Sequence, residues 1–249
     1  MLFRSGPESV AFGITTPSGT GISDSFIWIN RLAHAFGSPN ILFATENCNW
    51  HKDFAPSYTF GNSIGMPDYE KSGCVLLWGF NPATSWLVQA ESVARALKRG
   101  AKLIVVDPRK VGLANRADEW LRVRPAADGP LAMALAHQLI SNGWYDNQFI
   151  RDWSNGTLLV REDTQELLTT DMLSSDHSEQ HCLAWDTTHQ RVVAYDSRTG
   201  RYQVEHGDLA LLGRVDLETS IGKVSCKTAF QVYADACSHY TSARAEVLT

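Results

Sequence analysis

Short continuous apolar runs alternate along the chain with longer stretches whose apolar residues recur every three or four positions. ESVAFGI (8–14) is a short run and reads as a buried strand, followed by the polar turn TTPSGTGIS. Phe26, Ile27, Ile29, Leu32, Ala33 and Phe36 then fall at helical spacing. Ser23 or Asp24 is placed to cap that helix, and Gly37 with Pro39 to stop it. NILFAT (40–45) predicts the second strand. GCVLLWGFNP (73–82) carries an unbroken apolar run, which predicts a strand buried on both faces. SWLVQAESVARALKRG predicts one helix with a basic last turn and Gly100 as its stop. KLIVVDPR (102–109) is a further buried strand and EWLRVRP (119–125) an alternating one. DGPLAMALAHQLISNGW predicts a helix capped by Asp128 and closed at Gly143.

Strand, helix, strand, turn, strand, helix at this spacing predicts an α/β fold: a parallel sheet flanked by helices, Rossmann-like. From about Thr157 the texture changes. HCLAWDTTHQRVVAYDSRTGRYQVE predicts a hairpin turning at DTTHQ, and KTAFQVYADACSHYTSARAEVL a helical stretch. Three segments are expected: a partial α/β domain over 6–61, an α/β cofactor-binding domain over 62–158, and a mixed hairpin and helical extension over 159–249. The end at YTSARAEVLT falls inside a helical pattern, and LFRS at the start matches what a sequencing adapter would encode. The chain is expected to be an internal fragment.

Composition narrows the function. With 44% hydrophobic and 20% charged residues the chain has the make-up of a soluble globular protein. A net charge of -5 offers no basic footprint for nucleic acid or for a membrane surface. No apolar run approaches the ~18 residues of a membrane span. The five cysteines, Cys48, Cys74, Cys182, Cys226 and Cys237, are scattered and form no CxxC pair, which argues against a disulfide scaffold or a zinc ribbon.

Candidate chemistry gathers where strands end, because ligands of such sheets sit outside the carboxyl ends. WGFNP (Trp78, Gly79, Asn81, Pro82), VDPRK (Asp107, Pro108, Arg109) and RPAADG (Arg124, Asp128) all fall there. Gly79 lets backbone approach a ligand closely. Asp107 can accept from a hydroxyl or amino edge, although Asp-Pro-Arg is also an ordinary Asx turn. Arg109 and Arg124 can meet phosphate with forked guanidiniums. Asp128 opens a helix whose N-terminus suits an anion. The rim suits a nucleotide-bearing cofactor, yet neither GxGxxG nor GxxxxGK[ST] is present. Cys48 sits past the end of another strand, with His51 three residues on. Taken alone, Cys48 is a small buried residue, a zinc half-site lacking two further ligands, a nucleophile, or a ligand to something larger.

Cys48 followed by Thr59-Phe60-Gly61, then WGFNP, VVDPR and RPAADGPLAMALAHQLI, resembles the large catalytic subunit of the dimethyl sulfoxide reductase family. WYDNQFIRDWSNG, CLAWDTTHQRVVAYD, LALLG and GKVSCKTAFQV continue the resemblance over nearly the whole chain. It implies part of a larger multidomain subunit holding molybdenum or tungsten between two molybdopterin guanine dinucleotides. It also implies Cys48 as the thiolate ligand to the metal, a soft donor suited to a sulfur-held ion. Trp78, Gly79 and Asn81, and Asp107, Pro108 and Arg109, match loops that contact a dinucleotide, and Asp128 an acid that reads a guanine edge. The family's Pro-Gly-Thr-Asp stands here as Pro125-Ala126-Ala127-Asp128, so the turn has lost its glycine. His51 is left as a substrate-side residue, a hydrogen-bond donor behind the metal ligand, or a surface residue.

The activity implied is two-electron redox of a small-molecule substrate, with a non-redox hydratase or an inert nucleotide-binding module as alternatives. An iron–sulfur cluster upstream and an iron–sulfur electron-transfer subunit as partner are implied as well. The 249-residue chain alone is expected not to hold the full cofactor and to be inactive. Cys74, Cys182, Cys226 and Cys237 are expected to be packing residues.

Overall fold

The computed structural model describes residues 5–14, 26–43, 55–62, 65–173, 180–205, 207–220 and 222–249. The chain forms two compact units, Met1–Lys71 and Ser72–Thr249.

In the first unit, β1 (Ala11–Ile14) and β2 (Asn40–Phe43) pair in parallel with Ala11 opposite Asn40. Helix α1 (Phe26–Phe36) connects them, and Gly37 at φ 85° ends it, its N–H and that of Ser38 both reaching Ala33 O. Ala33 is fully buried, whereas Ile27 and Leu32 of the same apolar series are exposed. Helix α2 (Ala55–Phe60) follows, closed by Gly61 at φ 75°. Thr59-Phe60-Gly61 therefore forms a helix end. Cys48, His51 and the cap candidates Ser23 and Asp24 lie outside the described residues.

In the second unit, β3 (Cys74–Trp78), β4 (Lys102–Val106) and β5 (Glu119–Leu121) form a parallel sheet in that spatial order. This is the α/β parallel architecture expected, with helices α3 (Pro82–Ser85) and α4 (Leu87–Lys98) crossing from β3 to β4. The helix expected over 85–100 is α4, and α3 is an added turn before it, set off by Trp86, whose φ of -147° and ψ of 71° are not helical. Burial on β3 also departs from expectation. Val75 and Leu77 are buried, but their alternates Cys74 and Leu76 are exposed, Leu76 at 48%. A β-strand sends successive side chains to opposite faces, and here the face of Cys74 and Leu76 is covered only at its far end. Strand β5 stops at Leu121, because its partner β4 stops at Val106 in register with it.

Helix α5 (Asp128–Ser141) follows β5 and closes at Gly143, φ 67°. After α6 (Asn147–Trp153) the architecture turns antiparallel. β6 (Leu159–Arg161) leads through α7 (Thr170–Leu173) to β7 (Cys182–Asp186), β8 (Arg191–Asp196) and β9 (Arg201–Tyr202), which pair as the expected hairpin plus one strand. β10 (Arg214–Thr219) and β11 (Gly222–Thr228) form a second hairpin whose inner strand pairs with β6. Leu159, Leu168, Leu183, Val224 and Cys226 form a buried cluster that joins the two sheets. Two helices end the chain, α8 (Ala229–Ser238), capped by Thr228, and α9 (Ser242–Leu248), capped by Thr241. Both pack on α5, with Gln138 Nε2 donating to Ser242 Oγ at 2.9 Å. Among the described residues, no helix is long and apolar enough to cross a membrane.

Candidate functional site

Trp78, Val106 and Leu121 stand opposite one another in the register, so the three strands of the parallel sheet end in one row. Their exit loops therefore share one edge, which brings together Trp78, Gly79, Asn81 and Pro82, then Asp107, Pro108 and Arg109, then Arg124 and Asp128.

The first loop begins with Gly79 at φ 58°, whose N–H closes the ladder on Val106 O at 2.8 Å. A Cβ there would meet nothing within 4 Å, so the glycine serves backbone conformation and leaves open space beside it. Asn81 O accepts from Thr84 N at 3.1 Å, and Pro82 takes the first position of α3, where its missing N–H costs nothing. The Asn81 amide donates to Thr84 Oγ1 at 3.0 Å, while its Oδ1 is buried without a hydrogen-bond partner. A Cβ at Gly112 would collide with that oxygen, and Gly112 itself stands at φ 55°. An orphaned buried acceptor is rare enough to need an occupant or a donor.

In the second loop Asp107 Oδ1 accepts the Arg109 N–H at 2.8 Å, the Asx turn that Asp-Pro-Arg anticipates, and Arg109 is exposed. Among the described residues, neither the Asp107 Oδ2 nor the guanidinium of Arg109 or Arg124 has a protein partner. Trp120 holds the loop from below, donating Nε1–H to Asp107 O at 2.9 Å, and Lys110 Nζ lies 5.5 Å from the centre of its ring. The third loop turns at Arg124–Ala127, with Ala127 N–H reaching Arg124 O at 2.9 Å. Pro125 and Ala126 occupy the corner, and Ala126 stands at φ 70°, the pattern of a type II turn.

Asp128 differs from its expected role. It is the first residue of α5 but caps nothing: the N-cap is Ala127, with no side-chain cap bond. The carboxylate is drawn away instead by Trp78, whose Nε1–H donates to Asp128 Oδ1 at 2.6 Å. Trp78 is correspondingly half core, packed with Leu121 and Leu131 against Val106, Val123 and Ala127. At the opposite, amino end of the strands the charges are already paired. Asp118 meets Lys102 Nζ at 2.7 Å and accepts Leu103 N–H at 2.8 Å, and these two bonds hold its carboxyl below the usual carboxylate value.

Lys110 closes the expected VDPRK cluster, whereas Thr84, Gly112 and Trp120 are not anticipated as part of this edge. Trp120 carried a readable signal, since an indole flanking a buried strand requires an acceptor within reach. Cys74 is a second departure: it lies on the open face of β3 and is exposed, whereas Cys226 and Cys237 are buried as packing residues. Burial pushes the Cys226 thiol up to about 11. A shallow depression of about 570 Å³ on the β8–β9 turn is lined by Asp196, Thr199, Arg201, Tyr202 and Gln203. Its carboxylate is engaged by its own turn, accepting Arg198 N–H at 2.8 Å.

The family model for molybdopterin oxidoreductases matches residues 2–232. Acetylene hydratase of Syntrophotalea acetylenica is 30% identical over 167 residues, 67% of this chain and 22% of that protein. The thiosulfate reductase molybdopterin-containing subunit PhsA of Salmonella typhimurium is 32% identical over 166 residues, 65% of this chain and 21% of that one. A solved structure of acetylene hydratase from Pelobacter acetylenicus matches 59% of this chain and 20% of its own at 32% identity, with a TM-score of 0.44. The chain spans about a fifth of the length of these relatives.

Proposed function

Because the chain belongs to the molybdopterin oxidoreductase family, we propose that it is part of the catalytic subunit of an enzyme catalysing two-electron redox of a small substrate, and that its strand-end rim holds a molybdopterin guanine dinucleotide. The family implies a pterin cofactor with molybdenum or tungsten. Two dinucleotides, and an iron–sulfur cluster relaying electrons to a partner subunit, belong to the same reading.

The observation that carries it is the single row Trp78–Val106–Leu121, which sets all three polar exit loops on one edge. The donor set there fits a dinucleotide. Arg109 and Arg124 supply guanidiniums for phosphate, Gly79 leaves room for close approach, and Asp107 and Asp128 supply carboxylates for hydroxyl or amino groups. The orphaned Asn81 Oδ1 offers a further acceptor. When bound, the metal–pterin group supplies the redox chemistry, and the protein supplies position and electrostatics. Cys48 is proposed as the metal's thiolate ligand and His51 as a substrate-side residue.

The test is the complete protein, analysed for metal and for the nucleotide released by acid. Molybdenum or tungsten with guanosine monophosphate is expected; another nucleotide, or none, overturns the dinucleotide assignment. Cys48→Ala is expected to abolish metal-dependent turnover, and retained turnover removes Cys48 as ligand. The 30% identity to acetylene hydratase favours a second reading, hydration without net electron transfer. Turnover of a small substrate that needs no electron donor or acceptor would select it.

A further inference from the structure

We propose that Trp78 is a positioning residue: its indole N–H fixes the Asp128 carboxylate so that the carboxylate distinguishes guanine from other bases. This rests on reading the rim as a guanine-dinucleotide site.

An indole nitrogen can only donate, so the direction of the 2.6 Å bond to Asp128 Oδ1 is settled, and the bond is of the short charge-assisted kind. Asp128 is exposed, and its side chain would otherwise be free to change rotamer. Trp78 has no such freedom. It closes the row at the end of β3 and packs with Leu121 and Leu131 on Val106, Val123 and Ala127. Ala127 directly precedes Asp128, so the core contact and the hydrogen bond hold the same turn from two sides.

Trp78 occupies one oxygen of Asp128, and among the described residues Oδ2 has no protein partner. A carboxylate held in one orientation at a helix start suits adjacent N–H donors on one edge of a base. Guanine presents such a pair, its ring N–H and 2-amino group, whereas hypoxanthine has only the ring N–H. Trp78 thus acts on base selectivity through Asp128, while the phosphate contacts remain with other side chains.

The experiment uses complete apo-protein from a host unable to make the cofactor, titrated with guanosine diphosphate and with inosine diphosphate, which lacks only the 2-amino group. The native protein is expected to prefer the guanine nucleotide about tenfold or more. In Trp78→Phe the preference is expected to fall below about threefold, guanosine diphosphate losing more affinity than inosine diphosphate, as also in Asp128→Asn. A variant carrying 3-benzothienylalanine at position 78 keeps the ring shape and removes only the N–H, so it reports even where phenylalanine disturbs the core. If these Trp78 variants keep the preference while Asp128→Asn loses it, Trp78 only packs. The inference then falls and the guanine site stands. Equal loss for both nucleotides likewise reduces Trp78 to packing. A native protein that binds neither, or both equally, overturns the guanine reading of the rim and the inference with it.

Discussion

At the carboxyl edge of β3–β5 the charged side chains are sparsely engaged, whereas in the β6–β11 region they are bound several times over. Asp107 gives one oxygen to its own Asx turn, and Arg109 and Arg124 extend from loops without a carboxylate partner among the described residues. Asp186, by contrast, is wholly buried. It accepts the N–H groups of Thr188 at 2.9 Å, His189 at 3.1 Å and Gly207 at 3.0 Å, and the His189 ring at 2.7 Å. On the neighbouring sheet Lys227 lies 2.8 Å from Asp235 and 3.2 Å from Glu162, and Glu162 also holds Arg214 at 2.8 Å. Polar residues of the second region are therefore scaffold, their acceptors already answered. Those of the first are left open among the described residues, as the proposed dinucleotide requires.

The comparison is broken most forcefully at Asp186. Asp186→Ala leaves three N–H groups without their acceptor, and the melting temperature is expected to fall by roughly 10 °C. Guanine-nucleotide binding by the apo-protein, measured below the transition, is expected to be unchanged. Loss of binding in a folded Asp186→Ala protein would show that the two regions are not separable. The same group predicts a pH effect. Burial alone would raise the Asp186 carboxyl, but the N–H donors of Gly207 and His189 outweigh it and hold the carboxyl well below its ordinary value. A depressed folded pKa gives stability that is whole above about pH 4, the ordinary value in the unfolded chain, and that drains as pH falls further. Acid titration of Asp186→Ala should therefore be flatter than that of the native protein below about pH 4.

Gly112→Ala tests the rim from the other side. The new methyl meets Asn81 Oδ1 and forces a side chain onto φ 55°. A cost of about 2 kcal/mol is expected, a fall of roughly 5 °C, together with weakened nucleotide binding. Unchanged binding would remove Asn81 from the site.

How much of this was legible follows the physics of each element. Strands β3 and β4 were readable because the unbroken runs CVLLW and KLIVV leave little else for a short segment to be. The hairpin at DTTHQ was readable from its turn. The open face of β3 was not, since Leu76 reads as core in any pattern and burial depends on what else covers it. Strands β10 and β11 were missed, although Val215 and Leu217 alternate with Asp216 and Glu218 as a half-buried strand should. The helical stretch read from Lys227 takes in the last two residues of β11, while the actual boundary is marked by Thr228, whose hydroxyl accepts Gln231 N–H. At the site, position was legible and role was less so. Strand ends located Asp107, Arg109 and Asp128, and local pattern foretold the Asx turn. That Asp128 would bond to Trp78, fifty residues earlier, is a tertiary fact that no window of sequence contains.

The smallest effect sharpens the contrast most, because it concerns strain rather than charge. Among the described residues, three other than glycine have positive φ: Ala126 at 70°, Gln165 at 61° and Gln190 at 52°. In the antiparallel region both are glutamines whose side-chain amides bond back to their own turns, Gln165 to Glu162 O at 2.9 Å and Gln190 to Thr187 O at 2.6 Å. Ala126, at the rim, has only a methyl and gains no such bond. The left-handed conformation costs an alanine about 1–2 kcal/mol, while glycine would add about 0.4–1 kcal/mol of unfolded-chain entropy. Ala126→Gly is therefore expected to stabilise the protein by about 0.5–1 kcal/mol, a rise of roughly 2 °C in melting temperature. Nucleotide selectivity should not change, because Pro125 and the Ala127-to-Arg124 bond already fix the turn that presents Asp128. A lower melting temperature would mean that the Ala126 methyl makes a contact outweighing its strain. The rim would then resemble the antiparallel region, where strain is offset by the residue that bears it.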